Sequence, residues 1–231
     1  MDGILAVYKP VGITSFDVIR ELKHAIHPDF KVGHGGTLDP FADGVLLLLL
    51  GKATKRMNEL AELPKTYLAT AVLGARSDTL DRTGIIVPQI INHAQPECNE
   101  GAGKFSNSQI EEAAKKFVGE IEQVIPDYSA TKINGIPRYK LARRGEAMEK
   151  KTKMVMIYDL RFVLIEDNKV EFEATVSSGT YIRQLSYDIF KSLGVESYLE
   201  ALTRTRIGDF QLEKCCEMSD FNDDIWKNKV T

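Results

Sequence analysis

Residues Lys31–Gly44 read KVGHGGTLDPFADG and run straight into Val45–Leu50, VLLLLL. Six apolar residues in a row fall far short of the roughly 20 that cross a bilayer. They read instead as a strand buried on both faces. The segment before them is built differently. Gly33, Gly35 and Gly36 surround His34, which frees the backbone for unusual angles and for close approach to a ligand. Asp39 precedes Pro40, and the proline ring holds the preceding backbone in the extended region. The stretch therefore reads as a loop that aims one carboxylate, anchored to a buried strand.

Outward from it, ILAVYKP forms a first strand ending at Lys9-Pro10, and Thr14 caps the following helix with Asp17 closing a capping box. Val18, Ile19, Leu22, Ala25 and Ile26 form the apolar stripe of that helix, and Pro28 marks its end. After Gly51, KATKRMNELAEL has a helical pattern, and KTYLATAVLG alternates as a strand. Residues 85–107, with Pro88, Pro96, Gly101 and Gly103, have the composition of a flexible loop. Ser108 with Glu111 predicts a helix start, with Ile110, Ala113, Ala114, Phe117 and Val118 on the buried side. KMVMIYDLRFVLIED and KVEFEATVSS form a hairpin turning near Asp167-Asn168. GTYIRQLSYDIFKSLG is helical and stops at Gly194, and YLEALTRTRIGDFQLE leads into a last strand. Strands and helices intermixed with hairpins predict an α+β fold, taken here as one domain over residues 1–231.

A net charge of −3 argues against a uniformly basic nucleic-acid binder, but the charge is unevenly placed. Lys132, Arg138, Lys140, Arg143, Arg144, Lys150, Lys151 and Lys153 face only Glu146 and Glu149 between Thr131 and Lys153. Acid gathers elsewhere, at Glu111, Glu112, Glu120 and Glu122 and again from Glu213 to Asp224. A polyanion could bind one face and be repelled by the rest. Cys98, Cys215 and Cys216 suggest reduced thiols rather than a disulfide framework. His24 and His27 have no nearby ligand set to complete a metal site. No phosphate-binding or dinucleotide glycine pattern occurs, so no cofactor is expected. The first ten residues lack the marks of a secretory signal, which predicts a cytoplasmic protein.

GHGGTLDPFADGVL resembles the catalytic motif of the TruB-type tRNA pseudouridine synthases. YKPVGITS is similar to that family's Lys-Pro motif, KTYLATAVLGARSDTLDRTG to its tyrosine strand and acidic loop, and SSGTYIRQL to its arginine motif. IPDYSATKINGIPRYKLARRG resembles the RNA-contacting insertion, here about residues 127–153, and LEALTRTRIGDF the late Leu-Arg segment. Six motifs in the family's order span Lys9 to Phe210.

The resemblance implies the pseudouridine synthase fold, a mixed, largely antiparallel sheet flanked by helices and loops. It also implies isomerisation of the T-loop uridine at position 55 of tRNA, with the base flipped from its stack. Asp39 would be the catalytic carboxylate, acting as nucleophile or base at the sugar, with Arg183 pairing with it and Tyr67 packing on the base. His34, Lys9, Asp78 and Leu202 would bind substrate, His34 filling the space the base vacates. Lys132, Arg138, Lys140, Arg143 and Arg144 would form a thumb on tRNA phosphates. The implied partner is the T arm of tRNA, with no obligatory protein partner and no membrane. Gly35 stands in place of the family's usual Thr, and Tyr8 where an acid often precedes Lys-Pro. Only about twenty residues follow Phe210, so the PUA-type domain of many relatives is expected to be missing and binding to rest on the T arm. The rival readings are a synthase acting on another RNA and an RNA-folding module.

Overall fold

The computed structural model describes residues 1–89, 106–166 and 168–231. Most of the loop expected over 85–107, with Cys98 and Asp167, lies outside the described residues. In chain order the elements are β1 (Gly3–Lys9), α1 (Ser15–Ile26), β2 (Val32–His34), β3 (Asp43–Leu50), α2 (Met57–Glu62) and β4 (Lys65–Leu73). Next come β5 (Ala75–Ser77), β6 (Ile86–Pro88), α3 (Asn107–Lys115), β7 (Gly119–Val124), β8 (Lys132–Ile133), β9 (Ile136–Pro137) and α4 (Arg138–Arg143). β10 (Thr152–Glu166), β11 (Lys169–Val176), α5 (Ile182–Ser192), β12 (Ser197–Ile207) and β13 (Phe210–Gln211) complete them. The chain divides into two compact units, Met1–Leu68 with Leu202–Thr231, and Ala69–Ala201.

In the first unit β1 and β3 pair antiparallel along their whole length, from Gly3 opposite Leu50 to Lys9 opposite Gly44. The six apolar residues of β3 face alternately to two cores. Leu46, Leu48 and Leu50 pack with Val18, Ile19 and Leu22 of α1 and with Phe221 and Trp226 near the C-terminus. Val45, Leu47 and Leu49 pack with Ala53, Leu60 and Ile207 on the other face. A strand covered on both sides must be apolar at every position, which explains the run. α1 begins at the capping box read from the sequence: Asp17 N donates to Thr14 Oγ1 at 3.1 Å and Thr14 N to Asp17 Oδ2 at 2.8 Å. His27 ends the helix in the left-handed region at φ 42°.

β12 reaches β3 in parallel at Thr203–Asp43 and Arg204–Gly44. That close approach requires glycine. A Cβ on Gly44 would lie 2.3 Å from Arg204 O, and its φ is +111°. The helix expected over KATKRMNELAEL is instead a 3-10 turn, Gly51–Arg56, followed by the short α2. Thr54 Oγ1 bonds back to Gly51 O at 2.7 Å, a local bond that competes with regular helix.

In the second unit β7, β10 and β11 form consecutive antiparallel pairs, β10 in the middle. α3 packs on α5 and β10, and α5 on β7. The cap of α3 is Ser106 with Gln109, two residues before the expected Ser108 with Glu111: Gln109 N donates to Ser106 Oγ at 3.3 Å and Ser106 N to Gln109 Oε1 at 2.9 Å. The helix ends at Lys115, which leaves Val118 exposed rather than buried. β7 was not legible in the sequence. Glu120 and Glu122 point outward, and its most buried residue is polar: Gln123 accepts from Tyr181 N at 2.8 Å and donates to Tyr181 O at 3.1 Å.

Candidate active site: a carboxylate loop and a buried arginine

Lys9, His34, Asp39, Tyr67 and Leu202 belong to the first unit, and Asp78, Arg183 and the basic insertion to the second. Asp39 is half-buried, on a loop fastened at its backbone. Ser15 Oγ accepts from Leu38 N at 2.9 Å and donates to Leu38 O at 3.3 Å. Gly12 N donates to Pro40 O at 2.7 Å, and Ala42 N to Asp39 O at 3.1 Å. Gly36 enters the loop at φ +141°, where a side chain would be strained. The aim inferred from Asp-Pro thus has a physical basis in bonds to residues 38, 39 and 40.

Three cations lie buried in the same unit: Lys9, Lys65 and Arg204. Lys9 Nζ donates to Pro10 O and Ile13 O, both at 2.9 Å, which closes the turn after β1. Burial brings its amine down to about 8, partly offset by Asp43 and reinforced by the Arg204 guanidinium. Asp43 Oδ2 in turn accepts from Tyr8 OH at 3.0 Å. His34 stands on β2 opposite Leu48. Burial, then the Arg204 guanidinium, pushes its imidazole below the usual range, and its buried Nδ1 has no hydrogen-bond partner among the described residues. Tyr67 and Leu202 are buried.

Lys65 donates to Leu63 O at 2.6 Å and also to Ala61 O, and burial holds its amine at about 8. Between about pH 8 and 10.5 the unfolded chain therefore binds more protons at this position than the folded one. Stability rises with pH across that window, by at most about 1.4 kcal/mol per pH unit for one group. Lys9 contributes with the same sign. Lys65→Met is expected to flatten the pH dependence of urea unfolding between about pH 8 and 10; an unchanged slope would refute the depressed amine.

In the second unit Arg183 is 4% exposed. Its Nη1 donates to Thr79 O at 2.6 Å and lies 3.4 Å from Asp81 Oδ2, while Nη2 donates to Tyr128 O at 2.9 Å. Asp81, inside the acidic-loop motif but not named as a site residue, is the buried acid beside this arginine. Its Oδ1 accepts from Thr83 N at 2.9 Å, Thr83 Oγ1 at 2.5 Å and Thr79 Oγ1 at 2.9 Å. The signal was the spacing to Thr83, an acid bonding the backbone two residues on. Asp78, expected beside the substrate pocket, is exposed. It accepts from Ile85 N at 2.8 Å and from Tyr128 OH at 3.2 Å.

The basic insertion opens with the β8–β9 hairpin, closed by Asn134-Gly135 at φ +50° and +83°, a two-residue turn that needs both residues left-handed. Lys132, Lys140, Arg143 and Arg144 are exposed. Arg138, expected to reach phosphates, is buried: its guanidinium pairs with Asp127 Oδ1 at 2.5 Å and donates to Glu149 O at 3.1 Å. It braces the insertion from within. Among the described residues no group of His, Cys, Asp and Glu is placed to hold a metal ion, and no helix is long and apolar enough to cross a membrane.

The sequence profile of the TruB family pseudouridylate synthase (N terminal domain) matches residues 23–182. The tRNA pseudouridine synthase B of Clostridium acetobutylicum is 43% identical over 223 residues, 96% of this chain and 73% of that protein. That of Aquifex aeolicus is 38% identical, over 96% of this chain and 74% of that protein. Among solved structures, a Cbf5-Nop10-Gar1 complex aligns with TM-score 0.72 and 29% identity over 97% of this chain and 55% of the matched chain. An H/ACA RNP bound to a substrate RNA containing 2'-deoxyuridine aligns with TM-score 0.68 and 28% identity, again over 55% of the matched chain.

Proposed function

The chain belongs to the TruB family of pseudouridylate synthases, and on that premise we propose that it isomerises the T-loop uridine at position 55 of tRNA to pseudouridine. The bond from N1 to the ribose C1′ breaks, the base turns, and C5 bonds to C1′ in its place. The proton on C5 leaves to water and N1 gains one, so neither redox change nor net hydrolysis occurs. Asp39 is the carboxylate at the sugar, and Tyr67 and Arg183 are carried over as the other catalytic residues. The observation that carries this reading is the Asp39 loop, a half-buried carboxylate whose backbone is fastened on both sides.

The substrate uridine must leave its stack, at a cost of a few kcal/mol, and His34 fills the space the base vacates. Burial, then the Arg204 guanidinium, favours its neutral imidazole, a form that can stack or hydrogen-bond without carrying charge. The exposed cations of the insertion neutralise phosphates. Replacing Lys140, Arg143 and Arg144 together by Ala is expected to weaken T-arm binding and to lower the salt slope of log K by about one for each phosphate left without its cation. Equal slopes for variant and wild type would place the RNA elsewhere. We place the enzyme in the cytoplasm, acting without an obligatory protein partner.

The test is tritium release from a T-arm hairpin labelled at C5 of uridine, with chelator present and no added cofactor. Release at the T-loop uridine supports the activity and the sufficiency of the T arm. Release from full tRNA alone would mean that parts of tRNA outside the T arm are needed, and release from neither would favour an RNA-binding role without chemistry.

A further inference from the structure

We propose that Arg204 is a positioning residue for this reaction: its buried guanidinium fixes the backbone that carries Asp39 and, through β12, sets that backbone against the strand that carries Tyr67. The side chain is 1% exposed. Its Nε donates to Val45 O at 2.7 Å, Nη1 to Thr37 O at 3.3 Å and Nη2 to Gly36 O at 3.3 Å. Two of these carbonyls precede Asp39 and the third follows it, so one rigid group clasps the loop from both ends.

The chemistry of the acceptors explains why the residue is arginine. Three carbonyls facing one point need donors on a planar fork, which guanidinium has and a lysine ammonium on its flexible stem lacks. Gly35 and Gly36 give the loop more backbone freedom than any other residues would, and the bond to Gly36 O selects one conformation from that freedom. The approach is possible because Gly44 has no Cβ to strike Arg204 O.

β12 also ties down the second element. Thr205 Oγ1 donates to Thr66 O at 3.2 Å, next to Tyr67, and Gly208 N donates to Pro64 O at 2.9 Å. Adjacent residues of one strand thus fasten the loop before Asp39 and the strand of Tyr67.

Stability alone does not account for a guanidinium here. Arg204 pushes down the amines of both Lys9 and Lys65, a repulsion that an apolar side chain of similar volume would remove, though it would leave the three carbonyls without this donor. Loop geometry does account for it, since a misplacement of about 1 Å at a reacting group can cost on the order of 100-fold in rate.

The inference rests on the isomerase reading for what Asp39 does, and the test separates the two. Arg204→Lys and Arg204→Met are compared with wild type in single-turnover tritium release, affinity for the T-arm hairpin, thermal unfolding, and amide hydrogen exchange over residues 35–42. The expected result is a release rate lowered on the order of 100-fold in Arg204→Met and less in Arg204→Lys, with unchanged affinity and faster exchange in the loop. A lowered melting temperature with release rate and loop exchange kept would overturn the proposal, as would weakened affinity with the rate kept. Failure of both variants to fold would also overturn it, by making the guanidinium a stability element. If wild type binds the hairpin but releases no tritium, the isomerase reading fails, and loop exchange still decides whether Arg204 holds the loop.

Discussion

Tritium release is expected to fall by on the order of 10⁴-fold in Asp39→Asn, the upper range for a positioned acid–base group, with the variant still folded and its affinity for the T arm kept. The substitution preserves shape and removes the charge and the basic oxygen. The bonds that fasten the loop run to the backbone of Gly36, Thr37, Leu38, Asp39 and Pro40, from Arg204, Ser15, Ala42 and Gly12. All of them survive the change, so a loss of rate with fold and affinity kept reports chemistry. It corresponds to about 5 kcal/mol of transition-state stabilisation. Circular dichroism and hairpin binding check that fold and affinity are kept. Activity within tenfold of wild type would move the chemistry to another group and take the isomerase mechanism with it.

The parts of this fold that were legible in the sequence are those whose signal is local. Val45–Leu50 could be read as doubly covered because both cores touch the same six residues. Thr14 with Asp17 carries its cap within four residues. What escaped reading depends on partners far along the chain. β7 hides because its buried position is a glutamine satisfied by Tyr181, fifty-eight residues away. Arg138 counted as surface charge because composition cannot distinguish it from Lys140, although it is sealed against Asp127 and Glu149. Arg204 looked like one more cation in a Leu-Arg segment. Its use emerges only when parallel pairing brings it to Gly44 and to the loop carbonyls. For Asp39 the glycines and the proline suggested only an aimed carboxylate, its role came from the resemblance to the TruB-type motif, and the bonds that hold it were not legible.

Arg183→Met is expected to destabilise the protein by about 3–5 kcal/mol, the usual cost of removing one member of a buried ion pair. At about 2–4 °C per kcal/mol for a chain of this size, melting falls by roughly 6–20 °C. The arginine holds Thr79 O and Tyr128 O and lies beside Asp81, itself only 4% exposed. Without it the carboxylate keeps its bonds from Thr79 and Thr83 but loses the cation. The loop is already strained. Leu80 sits at φ 62°, which costs about 1–2 kcal/mol for a residue with a Cβ, and it is kept there by Leu199 N on Leu80 O and Arg82 N on Leu199 O. Loss of Arg183 frees Thr79 beside that strained residue, so the loop is expected to relax. Arg183→Lys should cost less, because the charge remains and only the fork is removed. Combining Arg183→Met with Asp81→Asn gives the decisive comparison by urea unfolding: with the carboxylate neutralised, losing the arginine should cost markedly less than it does in wild type. An equal cost in both backgrounds would mean that the Arg183–Asp81 pair is not what holds this loop.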